Sequence, residues 1–66
     1  MRLVVNGEAR SFPGVIDLAG LVGGLGLEPR KVAIELNLAI VPRSLYGDTP
    51  LSDGDRIEIV HFIGGG

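Results

Sequence analysis

Alternating apolar and polar residues open the chain and predict a β-hairpin. Arg2-Leu3-Val4-Val5 and Ala9-Arg10-Ser11-Phe12 flank Asn6-Gly7, a dipeptide that strongly favours a tight turn between two antiparallel strands. Because the side chains of a strand alternate between its two faces, Leu3 and Val5 lie on one face. We expect this face to be the buried one, since the opposite face carries a charged arginine.

A change of period after residue 16 predicts one short helix, over residues 18–25. Asp17 is expected to cap its N terminus by accepting backbone N–H groups, with Ile16 packed against the helix as a hydrophobic staple. Gly26 is expected to end it in the left-handed conformation. Glycines inside the segment cost up to about 1 kcal/mol each relative to alanine, so packing must hold the helix together. The apolar positions that recur at helical spacing are Leu18, Leu21, Val22 and Leu25.

The middle of the chain predicts two more strands and a crossover. Val32, Ile34 and Leu36 alternate with other residues and indicate a third strand with one buried face. After a turn near Asn37, Ile40-Val41 forms a short fourth strand, which ends at Pro42 because proline cannot donate to the ladder. Residues 43–50 show no sustained period, and we expect an irregular crossover with one helical turn around Leu45 and Tyr46.

Residues 56–62 form the last predicted strand. The turn before it, Asp53-Gly54-Asp55, has too few ligands for a calcium loop, and we interpret its acids as structural. Ile57 and Ile59 are expected to face the core. His61 shares their face, so we expect it at the end of the core layer rather than acting as a proton shuttle. The opposite face carries Glu58, Val60 and Phe62.

Two large apolar side chains on that opposite face suggest a docking surface. Val60 and Phe62 lie close to the last residues of the sequence, and Ile63 follows them. Scattered apolar residues on a surface are common and need no explanation. Apolar residues grouped beside a functional end, however, often mark interfaces. We therefore expect Val60, Phe62 and Ile63 to contact a partner protein.

The order of the elements predicts a single α+β domain over residues 1–66. One helix packs across a mixed sheet of four to five strands. With 66 residues, of which 45% are hydrophobic and 21% charged, the chain is too apolar for disorder and has room for only one small core.

Charge and composition narrow the function classes. Six basic residues are scattered among eight acids, with a net charge of −2. We therefore do not expect the protein to bind nucleic acid. No apolar run is long enough to span a membrane, and the alternating start differs from a signal peptide, so we expect a cytoplasmic protein. With no cysteine and one histidine, we expect no metal site and no enzyme activity of its own.

Several motifs together are similar to those of a known family: Glu35-Leu36-Asn37, Ile40-Val41-Pro42-Arg43-Ser44, Pro50-Leu51, Asp53-Gly54-Asp55-Arg56-Ile57-Glu58-Ile59-Val60 and Gly64-Gly65-Gly66. Nearly the whole chain therefore resembles the bacterial ThiS sulfur carriers of thiamine biosynthesis. It differs at Tyr46, where tryptophan is expected, and at Leu38-Ala39, where a glycine and an acid are expected. The resemblance implies the ubiquitin-like β-grasp fold of that group.

The resemblance also implies that the chemistry takes place on the carboxylate of Gly66. A ThiF-like, E1-like adenylating enzyme would use ATP to convert this carboxylate to an acyl-adenylate. Sulfur from a cysteine desulfurase would then displace AMP to give a thiocarboxylate, from which a ThiG-like thiazole synthase takes its sulfur. The chain would thus be a co-substrate that binds no cofactor, with ATP and sulfur supplied through partner enzymes.

The terminal glycines suit insertion into such a partner. Because glycine lacks a Cβ, Gly64, Gly65 and Gly66 can pass through a channel too narrow for side chains. Four extended residues reach roughly 13 Å at about 3.3 Å each. We expect a flexible tail over residues 63–66 that enters a partner's active site. A frayed end without function is the plainer interpretation of terminal glycines taken alone.

Two alternatives share the predicted fold. A related carrier that delivers sulfur to molybdopterin or to tRNA thiolation would use the same tail chemistry with another partner. A non-covalent β-grasp interaction module would not use Gly66 chemically, and it would tolerate an added residue after Gly66.

Overall fold

The structure, a computed structural model, describes residues 1–62. Within this range the chain forms two hairpins, one α-helix and a final strand. Two short 3-10 helices, Pro29–Lys31 and Arg43–Asp48, lie in the connections. The other elements, in chain order, are β1 (Arg2–Val5), β2 (Glu8–Ser11), α1 (Leu18–Gly24), β3 (Val32–Leu36), β4 (Ala39–Val41) and β5 (Arg56–His61).

The five described strands form one sheet in the order β2-β1-β5-β3-β4. β5 runs parallel to β1 and antiparallel to β3, and both hairpins are antiparallel. The predicted α+β class, with one helix and a mixed sheet, is therefore confirmed. β5, the last of the described strands, lies at the centre of the sheet, between the two hairpins.

The core lies between α1 and one face of the sheet. Leu18 and Leu21 of α1 are fully buried, and Leu3, Val5 and Ile57 of the sheet are buried as predicted. Leu25 and Ile59, also predicted to face the core, are only partly buried against it. The remaining buried residues are Phe12, Val22, Val32, Ile34, Tyr46 and Leu51.

Both hairpins turn through two residues with positive φ. Asn6 (φ 49°) and Gly7 (φ 80°) connect β1 to β2, and Asn37 (φ 49°) and Leu38 (φ 72°) connect β3 to β4. Positive φ at both central residues is the type I′ turn, whose twist matches that of the flanking strands. The Asn-Gly prediction is confirmed. Leu38 adopts a conformation that bulky side chains rarely take.

The ends of α1 follow the prediction, whereas the staple does not. The Asp17 carboxylate accepts a hydrogen bond from the Gly20 N–H at 2.7 Å, and Gly26 adopts a φ of 71°. The predicted packing of Ile16 on Leu21 is wrong, because Ile16 is 72% exposed. Its carbonyl accepts the Leu51 N–H, and Asp17 pairs with Pro50. In this extended segment the side chain of Ile16 therefore points away from the core.

The connections are more helical than the sequence indicated. The single turn expected around Leu45 and Tyr46 is a 3-10 helix over Arg43–Asp48. Burial raises the pKa of the Tyr46 hydroxyl, and the charge of Arg43 partly opposes this rise. The sequence patterns did not predict the 3-10 helix at Pro29–Lys31. Its N terminus is capped by the Glu28 carboxylate, which accepts the Arg30 N–H at 3.3 Å.

The acids of the Asp53-Gly54-Asp55 turn bind backbone N–H groups. Asp53 accepts from Arg2 at 2.6 Å, and Asp55 accepts from Ser52 at 2.8 Å. Gly54 has a φ of 87°, which glycine adopts without steric cost. The carboxylates thus fix the turn that starts β5, in agreement with the structural interpretation.

Candidate functional site

β5 is the element that leads to the terminal glycines, and the sheet holds it from both sides. It pairs with β3 from Ile57 to His61, and with β1 through Arg56 and Ile57. Beyond the end of β5, the Phe62 N–H donates to the Lys31 carbonyl at 2.7 Å. The backbone is therefore anchored up to the residue before the predicted tail.

The asparagines of the two hairpin turns also bind β5. The Asn6 side chain accepts the Ile59 N–H at 2.7 Å and donates to the Ile59 carbonyl at 3.3 Å. The Asn37 side chain accepts the Arg56 N–H at 2.9 Å. Where the β1 ladder stops, the amide of Asn6 thus replaces the missing backbone partner. Both turns position the strand that carries the candidate site.

The outer face of β5, away from α1, is exposed and partly apolar. Val60 is 60% exposed and Phe62 is 47% exposed, so their predicted outward orientation is confirmed. Their contact with a partner protein stays a prediction. Ile63, the third residue of the predicted docking surface, lies outside the described residues.

Ile40 extends this apolar face, and the sequence interpretation missed it. Ile40 is 79% exposed and pairs with Glu35, which in turn pairs with Glu58. Residues directly opposite one another in a sheet share a face, so Ile40 lies on the same face as Val60. The two-residue turn after Leu36 could have revealed the position of Ile40, because this turn sets the register of β4 against β3.

His61 does not lie at the end of the core layer, contrary to the prediction. It is exposed and lines an open cleft of about 360 Å³, together with Glu8, Arg10 and apolar residues. The helix ends at Gly24 and leaves this end of β5 uncovered. The apolar residues that line the cleft are Val5, Leu25, Leu27 and Ile59.

The residues expected to carry the chemistry, Gly64, Gly65 and Gly66, lie outside the described range, as does the whole predicted tail over residues 63–66. Among residues 1–62, no group of three histidine, cysteine, aspartate or glutamate side chains is placed to hold a metal ion. In the same part of the chain, no helix is long and apolar enough to cross a membrane.

Sequence comparison relates the chain to sulfur carriers and to thiazole synthases. Residues 3–66 match the ThiS family. The chain is 44% identical over 46 residues, 70% of each protein, to the sulfur carrier protein ThiS of Bacillus subtilis. It is 53% identical over 66 residues, its full length, to a thiazole synthase of Paramagnetospirillum magneticum, and 48% identical to one of Magnetococcus marinus. The chain spans only 20% of the length of these two enzymes.

Structural comparison agrees with the sequence matches. The crystal structure of the thiamine biosynthesis protein ThiS from Geobacter metallireducens has a TM-score of 0.84, with 32% identity, over 100% of both chains. A solution structure of a thiamine biosynthesis protein from the same organism has a TM-score of 0.82. The ubiquitin-like β-grasp fold expected from the resemblance is thereby confirmed, and the chain belongs to the ThiS family.

Proposed function

We propose that this protein is a sulfur carrier of thiamine biosynthesis and that it carries sulfur as a thiocarboxylate on Gly66. The observation that carries the proposal is the family match, which runs from residue 3 to residue 66 and so includes all three terminal glycines. The similarity to the Bacillus subtilis sulfur carrier supports the same function. The chain acts as a protein co-substrate, and catalysis belongs to its partners.

The anchoring of β5 supports this function physically. A carrier must deliver its reactive end to several active sites while its body stays folded. Here the central strand, bound on both sides and by Asn6 and Asn37, leads directly to the tail. Because residues 63–66 span roughly 13 Å when extended at about 3.3 Å each, Gly66 reaches a buried active site while the sheet remains outside.

The chemistry proceeds by activation and sulfur transfer. A carboxylate oxygen of Gly66 attacks the α-phosphorus of ATP in an adenylating enzyme of the ubiquitin-activating class, and pyrophosphate leaves. The terminal sulfur of a persulfide, made by a cysteine desulfurase, attacks the resulting acyl carbon and expels AMP. A thiol then reduces the S–S bond of the acyl persulfide, which leaves the thiocarboxylate. Activation is needed because a carboxylate is a poor electrophile.

A thiazole synthase is the proposed acceptor of this sulfur. Two proteins named thiazole synthase contain a segment similar to the whole of this chain, which supports a close functional relation between carrier and synthase. The adenylating enzyme and the desulfurase are the further partners that the resemblance to the ThiS carriers implies. The activation uses ATP and the sulfur loading uses thiols, in keeping with the expected cytoplasmic location.

Intact-mass spectrometry tests the proposal. The native protein is incubated with a purified bacterial adenylating enzyme of this class, ATP, cysteine, a cysteine desulfurase and a reducing thiol. We expect a mass gain equal to the exchange of one oxygen for one sulfur, localised to Gly66 by fragmentation. The same spectrum establishes whether the carboxylate of Gly66 is free in the native protein, which the proposal requires.

The matched control carries one alanine added after Gly66 and leaves every described residue unchanged. We expect no mass gain for this variant. Equal sulfur transfer to both proteins would contradict the assignment of the thiocarboxylate to Gly66. No transfer to the native protein by an enzyme that activates another carrier would contradict the carrier function and favour a non-covalent interaction module.

A further inference from the structure

A shallow groove on the outer face of the sheet combines apolar walls with two carboxylates. Its volume is about 100 Å³. Ala33 pairs with Val60, and Glu35 lies between Ile40 on one neighbouring strand and Glu58 on the other. Because alanine is small, it leaves space between Ile40 and Val60. The lining residues are Ala33, Ile34, Glu35, Ile40, Glu58 and Val60.

The two carboxylates of this groove belong to residues paired on neighbouring strands. Arg56, two residues before Glu58 on β5, shares their face of the sheet but does not line the groove. Glu35 and Glu58 are directly opposite on β3 and β5, where Cβ atoms lie roughly 4.5–5.5 Å apart and like charges destabilise the sheet. Neither accepts a hydrogen bond within residues 1–62, whereas three other acids, Asp17, Asp53 and Asp55, all bind N–H groups. The isolated protein thus carries two like charges side by side between the apolar residues of the groove.

We propose that this groove receives an arginine side chain of the adenylating enzyme, an inference that rests on the proposed function. The aliphatic part of an arginine fits along Ile40 and Val60, as such stems cover apolar surface. Its guanidinium has five N–H donors and binds carboxylates in charge-assisted hydrogen bonds. One side chain therefore satisfies both glutamates and covers the exposed apolar walls.

A second copy of this chain is a poor occupant of the same face. A symmetric contact places the same patch on both subunits, so it would bring two Glu35–Glu58 pairs together in a desolvated interface. Like charges opposed across an interface are strongly unfavourable. The charge of the groove therefore favours a basic partner over self-association.

The test compares two double variants that remove the same charge. Glu35→Gln/Glu58→Gln neutralises the groove, while Glu8→Gln/Glu28→Gln removes two acids outside β3, β4 and β5. Binding to the purified adenylating enzyme is measured by calorimetry at low and at physiological salt. We expect the groove variant to raise the Kd about tenfold, with a weaker salt dependence, and the control to stay within about twofold of the native protein.

Thermal unfolding separates docking from folding. Because the substitutions remove the repulsion between the two glutamates, we expect the Tm of the groove variant to equal or exceed that of the native protein. Should the double variant unfold, the single variants Glu35→Gln and Glu58→Gln carry the same test. A groove variant that binds as tightly as the control would overturn the proposal. So would sedimentation that reveals a native dimer abolished by the groove substitutions.

The thiocarboxylate assay distinguishes this inference from the proposed function. At saturating enzyme the groove variant is expected to reach the same final conversion as the native protein, because Gly66 is unchanged. A native protein whose binding depends on Glu35 and Glu58, but which never gains sulfur, would contradict the sulfur-carrier function and leave the docking of arginine standing.

Discussion

Leu38 occupies the second central position of the β3–β4 turn with a φ of 72°, the position that Gly7 fills in the β1–β2 turn with a φ of 80°. A side chain in the left-handed region costs roughly 1–2 kcal/mol. Leu38 is 87% exposed, so it gains little burial in return. Two turns of the same geometry therefore differ in strain because of one residue.

This comparison predicts opposite effects for exchange of the two residues. Leu38→Gly should raise the free energy of unfolding by about 0.5–1 kcal/mol, after the entropic cost of glycine in the unfolded chain is deducted. Gly7→Leu should lower it by about 0.5–1 kcal/mol, because removal of the glycine reduces the entropy of the unfolded chain and so offsets part of the strain. Urea titrations at neutral pH measure both. A loss of stability in Leu38→Gly would show that the leucine side chain, and not its backbone conformation, dominates at this turn.

At the scale of the element, β5 depends on side chains from other elements. Its ladder with β1 ends at Ile57, and the amide of Asn6 then binds both backbone groups of Ile59. Asparagine at residue 6 therefore meets two requirements. It tolerates the left-handed conformation of the turn, and its side chain has both a donor and an acceptor. The sequence motif Asn-Gly signals the first requirement only.

Asn6→Ala is expected to lower the free energy of unfolding by about 1–3 kcal/mol, because it leaves backbone groups of Ile59 without their partner and places alanine at positive φ. Hydrogen exchange at the Ile59 amide should accelerate more than exchange at amides of β2. Asn6→Asp retains the acceptor at 2.7 Å but loses the donor. Its free energy of unfolding should therefore lie between those of the native protein and of Asn6→Ala. Unchanged exchange at Ile59 in Asn6→Ala would contradict this role.

At the scale of the whole molecule, the two faces of the sheet have different tasks. The inner face packs on α1 and forms the core, whereas the outer face exposes Ile40, Val60 and Phe62, on or next to the strand that precedes the predicted tail. Exposed apolar residues contribute little to folding. If the outer face is the docking surface, substitution of these residues must change the affinity for the partner protein.

Phe62→Ala and Ile16→Ala form a matched pair for this question, since both side chains are exposed and only the first lies next to β5. Both should change the free energy of unfolding by less than about 0.5 kcal/mol. Phe62→Ala should raise the Kd for the adenylating enzyme about tenfold, as apolar anchors at interfaces do, while Ile16→Ala should leave it unchanged. Equal affinities of the two variants would rule out Phe62 as a docking residue.

Local patterns in the sequence determined the elements and many of their details. Alternation identified the strands and the buried side of β1, and the spacing of Leu18, Leu21 and Val22 identified the helix. Asp17, Gly26 and the Asn-Gly turn were predictable because each answers a local backbone requirement. The terminal glycines and the motifs before them indicated the family, which the comparisons confirm.

Tertiary structure decided where those elements lie and which surfaces stay open. Alternation says which residues share a face, but not how far another element covers it. His61 is exposed because α1 ends too early to reach it, and Ile16 is exposed because its segment pairs with Pro50-Leu51. The central place of β5 and the opposition of Glu35 to Glu58 arise from contacts between residues distant in sequence, which no local period encodes.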